Sequence, residues 1–359
     1  MAETVSWVGL AIALLLPWLC GSVWVCLLLR GTGRANAALL LGQGFFVGHF
    51  GVTLLLRLWD AIGLPLGFLP LSIVLALLSL AGLLLLRGRR TVAVAASARG
   101  RTGPAAALCI GVLLLMLLSR YVVLAQELLL RPLYGWDAWM NWVPKAIVWY
   151  HHGSLVDFVS PAAWLNPGPA ETYTLGNTEA WDYPISVPLI QLWAMLAAGT
   201  TDHPALYLSW LLTPLCLALL LYGHLRLAGL GSAACIGACY VLLSMPYINV
   251  HTALAGYADL WLGAVFGAAV CALYEWSQCR QWRHAVLCLV LAAFCAQIKV
   301  TGIFLGLIVV ALLLRAWLRL SPWQDLLAAA AMLAGFAVLM TAGASFTLPH
   351  LGQVVLGWE

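Results

Sequence analysis

Long uninterrupted apolar runs govern what this chain can fold into. Runs of about 20 residues recur along most of the 359-residue sequence, which is the length a helix needs to cross a bilayer. They are continuous and do not alternate as the strands of a membrane barrel do. Only 8% of the residues are charged, against roughly 25% in soluble domains. A soluble enzyme, a disordered chain and a nucleic-acid-binding module are therefore excluded. The sequence predicts an all-α polytopic membrane protein.

About ten spans are expected, near 5–29, 35–58, 66–86, 105–126, 204–224, 231–249, 258–276, 284–298, 301–318 and 323–343. The first has neither a basic leader nor a small-x-small cleavage site, so it reads as a retained span and not a signal peptide. Basic residues follow alternate spans: Arg30 and Arg34, the group Arg87 to Arg101, Arg226, Arg280 and Arg283, then Arg315 and Arg319. That bias marks one cytoplasmic face. It leaves the N-terminus, the 127–203 loop, the 250–257 loop, the Lys299 turn and the tail on the outer face. Counting the apolar stretch 184–199 as a span would invert every later loop. It is therefore expected to lie in the outer interface or to re-enter it, in keeping with Pro184 and Pro188. The ten cysteines lie in or beside apolar runs and read as packing residues.

The outer loop concentrates chemistry. Seven of the chain's 13 acids fall within 127–203, opposed only by Arg131 and Lys145, together with seven tryptophans. Trp favours the headgroup zone and also walls sugar rings. Asp137 stands among them in Tyr134-Gly135-Trp136-Asp137-Ala138-Trp139. A helix here would put Asp137, Asn141, Lys145 and His152 on one polar stripe, with Trp136, Trp139, Met140, Val143, Ile147 and Tyr150 opposite. Pro144 threatens to break it. Asp137 reads either as a reactive carboxylate or as a solvated interfacial acid or cap. Asp182 reads either as a second carboxylate or as the N-cap of the helix after it.

Farther on, Asn249, His251, Tyr257 and Asp259 cluster, and Asp259 lies just inside an apolar helix where an acid needs a partner. Lys299 is the only basic residue at its outer turn, and Arg120 lies about two turns inside its span. Each reads either as a ligand or as a snorkelling residue.

The order of these motifs resembles the GT-C superfamily of polytopic glycosyltransferases that use lipid-linked sugars, in particular bacterial members of the protein O-mannosyltransferase and aminoarabinose-transferase type. The likeness lies in Trp136-Asp137-Ala138-Trp139 early in a large outer loop, Asp182-Tyr183-Pro184 opening a second interfacial helix, Gly256 to Asp259, and Lys299 to Gly302. It implies a core module over 105–343 carrying the outer loop 127–203, preceded by three helices in 1–104 and followed by an outer tail, 344–359. It also implies inverting transfer from a polyprenyl-phosphate sugar donor to a glycan, lipid or protein acceptor at the outer face of a bacterial inner membrane. In that role Asp137 is the base or an acceptor-orienting carboxylate, with Asp182 as a second catalytic candidate, and Lys299 contacts the lipid phosphate. Lys145, Arg120, His251, Tyr257, Asp259, Trp136 and Trp139 are the other substrate-binding candidates. Asp137 has no second acid close behind it, as many members have. No cofactor is implied with certainty, and a divalent metal is left open.

Independently of the resemblance, sugar transfer needs a carboxylate to take the acceptor proton and cations to stabilise a departing phosphate. A transporter or flippase of lipid-linked sugars is the competing class, because intramembrane charges mark substrate paths. A non-catalytic scaffold is the third. Against transport, the sequence shows no internal repeat.

Overall fold

A computed structural model describes residues 5–87, residues 103–319 apart from 167 and 169, scattered positions between 323 and 338, and two strands at 344–348 and 352–356. The apolar runs fold as helices because only a helix satisfies its backbone polar groups within a single segment of a membrane.

Among the described residues seven helices are long and apolar enough to span. They are α1 (Trp7–Leu28), α2 (Ala37–Ala61), α3 (Phe68–Arg87), α4 (Pro104–Leu130), α8 (Leu208–Leu227, entered through a 3-10 turn at Pro204–Tyr207), α11 (Ala258–Cys279) and α13 (Val300–Leu318). The 127–203 loop holds α5 (Val143–His152), α6 (Pro161–Leu165) and α7 (Ser186–Ala198). The span expected at 231–249 is instead a bent pair, α9 (Ser232–Leu243) and α10 (Pro246–Ala253), turned by 57° at the break before Pro246. Counting the pair as one span gives eight. The run at 284–298 is α12 (Trp282–Ile298), 17 residues long and shorter than a standard span. Most of the tenth expected span, 323–343, lies outside the described residues. In the expected outer tail, β1 (Ala344–Leu348) pairs antiparallel with β2 (Gly352–Leu356), Ala344 opposite Leu356.

Lipid tails are as apolar as leucine, so helix association here depends on close packing and small residues. The Gly44-Phe45-Phe46-Val47-Gly48 stretch of α2 meets α1 in this way: a methyl group at Gly48 would strike the Pro17 carbonyl, and one at Gly21 the Gly44 carbonyl. Gly48→Val is expected to destabilise the protein by about 1–3 kcal/mol through overpacking. A lowered unfolding temperature in detergent checks this, and an unchanged one contradicts it.

One apolar core runs from Leu10 in α1 through Phe45, Trp210 and Trp261 to Val309 in α13. The first three helices thus share packing with the 105–318 region. The 184–199 segment does not cross, as expected, and its burial rules out the interfacial placement but not the re-entrant one. At 13 residues α7 is too short to cross, yet it does not lie on a surface: Val187, Leu189, Ile190, Leu192, Trp193 and Met195 are all buried. A helix that is apolar all round is enclosed, here by α1, α2 and α5. Trp193 Nε1 donates to the Ala13 carbonyl at 2.9 Å, and the Ser6 amide donates to the Ala198 carbonyl at 3.0 Å. The floor of the 127–203 loop is therefore fixed to the bundle.

Candidate functional site

The segment after α4 sets the geometry. Helical geometry begins at Trp136, and Ala138–Trp142 winds as a single π-turn before α5. The expected break at Pro144 takes this form: proline lacks an N–H, and the wider turn accommodates the loss without ending the helix. The winding brings Trp142 beneath Asp137. Trp142 Nε1 donates to Asp137 Oδ2 at 2.9 Å, and Asn141 Nδ2 donates to Oδ1. Asn141 is oriented in turn by Asn177, whose Nδ2 donates to Asn141 Oδ1 at 2.9 Å. Trp142 and Asn141 are buried, so the carboxylate is held by fixed donors.

The single polar stripe expected along this helix therefore splits. Asp137 and Asn141 stay together. Lys145 turns inward, 1% exposed, and donates to the Trp181 carbonyl at 2.8 Å and the Tyr183 carbonyl at 3.2 Å. Burial lowers its pKa to about 7, partly offset by the charge of Asp182. His152 pairs with the Tyr173 hydroxyl at 2.7 Å. Trp136 and Trp139 stay outside, 55% and 48% exposed.

Two glycines let a second element approach Asp137. A Cβ on Gly135 would press on the Tyr257 ring. Gly256, at φ +94°, takes a conformation that only glycine adopts freely, and a Cβ there would press on Ala138. Tyr257 is thereby placed so that its hydroxyl accepts from the Asp137 backbone N–H at 3.3 Å, while Trp210 Nε1 donates to the Tyr257 carbonyl at 2.7 Å. His251 lies between the rings of Tyr247 (4.3 Å) and Tyr257 (5.9 Å), within Coulombic reach of Asp137, Asp259 and Lys299. Its Nδ1 is buried with no protein partner. Lys299 joins α12 to α13, and its Nζ lies 2.9 and 3.2 Å from the two oxygens of Asp259.

The structure thus groups Asp137, His251, Tyr257, Asp259 and Lys299 at one end of the bundle, with Lys299 directly paired to Asp259 and not to Asp137. It places Arg120 elsewhere: its Nη1 donates to the Ser244 carbonyl at 3.4 Å, where the bend between α9 and α10 frees that group. Asp182 acts electrostatically on Lys145, and the N-cap position of α7 is Ile185, not Asp182. Among the described residues no group of three or more His, Cys, Asp or Glu side chains is arranged to hold a metal.

Some polar residues are not marked by any motif. Arg57 of α2 donates to Gln297 Oε1 at 2.7 Å and to Ser186 Oγ at 3.3 Å. At the opposite end, buried Glu275 binds Arg34 Nε at 2.5 Å and His224 Nδ1 at 2.9 Å, tying the α1–α2 connection to α8 and α11. The signal for Glu275 was available, since an acid within an apolar span requires a partner.

The fold and site define a polytopic helical membrane protein with a polar cluster at the end that carries its largest loop. Comparison with protein-family models, with curated proteins and with solved structures finds no match in any of the three.

Proposed function

We propose that this chain is a membrane glycosyltransferase of GT-C type that moves a sugar from a polyprenyl-phosphate donor to a glycan, lipid or protein acceptor, with inversion. The reading places it in a bacterial inner membrane with the 127–203 loop facing the periplasm, and gives it no nucleic-acid partner. The observation that carries it is the Asp137 carboxylate, held by Asn141 and Trp142 beside Tyr257 and His251 in one cluster with the Lys299–Asp259 pair.

In this mechanism Asp137 takes the proton of the acceptor hydroxyl. The acceptor oxygen bonds to the sugar's anomeric carbon while the bond from that carbon to the phosphate oxygen breaks, and the phosphate leaves on its lipid. Each Asp137 oxygen accepts one fixed donor and keeps a further lone pair for the acceptor. Lys299 and His251 are the groups nearest to stabilise charge on the donor side. Exposed Trp136 and Trp139 wall the sugar or the headgroup zone. Asp182 and Lys145 support the loop from below. A divalent metal remains compatible with the donor's phosphate.

Translocation of a lipid-linked sugar is the second reading, favoured by the bend between α9 and α10 and by paired charges within the bundle. Reconstitution into vesicles with a polyprenyl-phosphate sugar and acceptors separates the two. A glycosylated product supports the enzyme, translocated donor without product supports the second reading, and neither leaves a scaffold.

A further inference from the structure

Arg57 is a cation without an anion. It lies one turn from the end of α2 that faces the outer loop. Its two hydrogen-bond partners in the bundle, Gln297 and Ser186, are both neutral, and among the described residues its buried Nε has no acceptor. Among the described residues it forms no ion pair. The nearest acid in sequence, Asp60, directs Oδ1 to the Leu155 amide at 2.8 Å. The other positive group nearby, Lys299, two residues beyond Gln297, already has Asp259. An arginine held in a spanning helix with no counter-ion is a costly arrangement, and it persists where the charge has a use. Its planar fork has five donors, of which two are engaged, and the fork matches the paired oxygens of a phosphate.

We propose that Arg57, flanked by Ser186 and Gln297, binds the phosphate of a lipid monophosphate that enters from the bilayer. Leu54 and Leu58, on either side of it in α2, are exposed to the membrane, so a ligand carried on a lipid tail has direct access. This assignment rests on the donor reading above for its ligand class. It moves the phosphate contact from Lys299, which is paired, to a residue in the N-terminal helices outside the region of resemblance.

The test uses the full chain in nanodiscs of zwitterionic lipid, with a polyprenyl monophosphate, the matching polyprenyl alcohol and inorganic phosphate as probes. Arg57→Gln is expected to weaken polyprenyl monophosphate binding by at least about tenfold and to leave the alcohol unaffected. Arg57→Lys, which keeps the charge but not the fork, is expected to fall between Arg57→Gln and the wild type. The unfolding temperature of Arg57→Gln should equal or exceed that of the wild type, because an uncompensated charge has been removed; a purely structural arginine would lower it. Equal lipid-phosphate affinity in wild type and both variants overturns the Arg57 assignment while the donor reading stands. Inorganic phosphate competing as strongly as the lipid shows a free-phosphate site and overturns the lipid source. A wild type that binds no polyprenyl monophosphate overturns the donor reading together with this assignment.

Discussion

Asp137→Asn is expected to reduce sugar transfer by roughly 10²–10⁴-fold, the usual contribution of a general base, while the protein folds and binds donor as before. The substitution is nearly isosteric. The Asn side-chain oxygen still accepts from one of the two donors that hold the carboxylate, Trp142 Nε1 or Asn141 Nδ2, and the other is left facing the new NH2, a local cost of about 1–3 kcal/mol. What is lost is the negative charge that, in the proposed mechanism, takes the acceptor proton. Donor binding relies on groups outside this carboxylate and should change little. Product formation from a reconstituted polyprenyl-phosphate sugar, read beside donor binding on the same preparation, makes the comparison. Wild-type turnover in Asp137→Asn would refute the base assignment. Equal losses of transfer and donor binding would point instead to a carboxylate that orders the site.

Seven of the ten expected spans are legible as membrane-length helices, because the bilayer imposes a length and a composition that no other element meets. What escaped is tertiary. The run 231–249 is largely apolar, and only Ser244 and Pro246 hint that it divides. Segment 184–199 has the composition of an interfacial helix, yet with Ser186 and Gln191 as its only polar residues inside α7 it is apolar on every side, and that signal favours enclosure. Pro144 marked an irregularity, but the choice between a break and a π-turn depends on Asp137 finding Trp142 five residues on. Five of the residues singled out by motif, Asp137, His251, Tyr257, Asp259 and Lys299, lie at one end, while Arg120 lies apart from them. Spacing along the chain carries no information on which charge meets which, so the Lys299–Asp259 pair, the burial of Lys145 and the unpaired guanidinium of Arg57 emerge only from the packed structure.

Lys145→Met is expected to loosen the outer loop and to lower transfer without altering any group that touches substrate. The ammonium is the donor for two main-chain carbonyls, Trp181 and Tyr183, and lies 5.8 Å over the Phe158 ring. A buried carbonyl left without a donor costs about 1–3 kcal/mol, and methionine leaves two. Tyr183 packs at 5.5 Å on Trp142, whose indole holds Asp137, so an opened loop reaches the carboxylate through one ring contact. Faster hydrogen exchange of amides 176–183 together with a fall in turnover is the expected signature; unchanged exchange contradicts it. The pH dependence supplies a second reading. Burial lowers the Lys145 pKa from 10.5 to about 7, so between those values the opened loop binds a proton that the closed loop does not. Loop stability in the wild type therefore rises with pH from about 7 towards 10, by up to about 1.4 kcal/mol per unit, and is flat below 7, where both forms are protonated. Lys145→Met removes the titrating group, and its exchange rates, corrected for intrinsic base catalysis, should lose that slope.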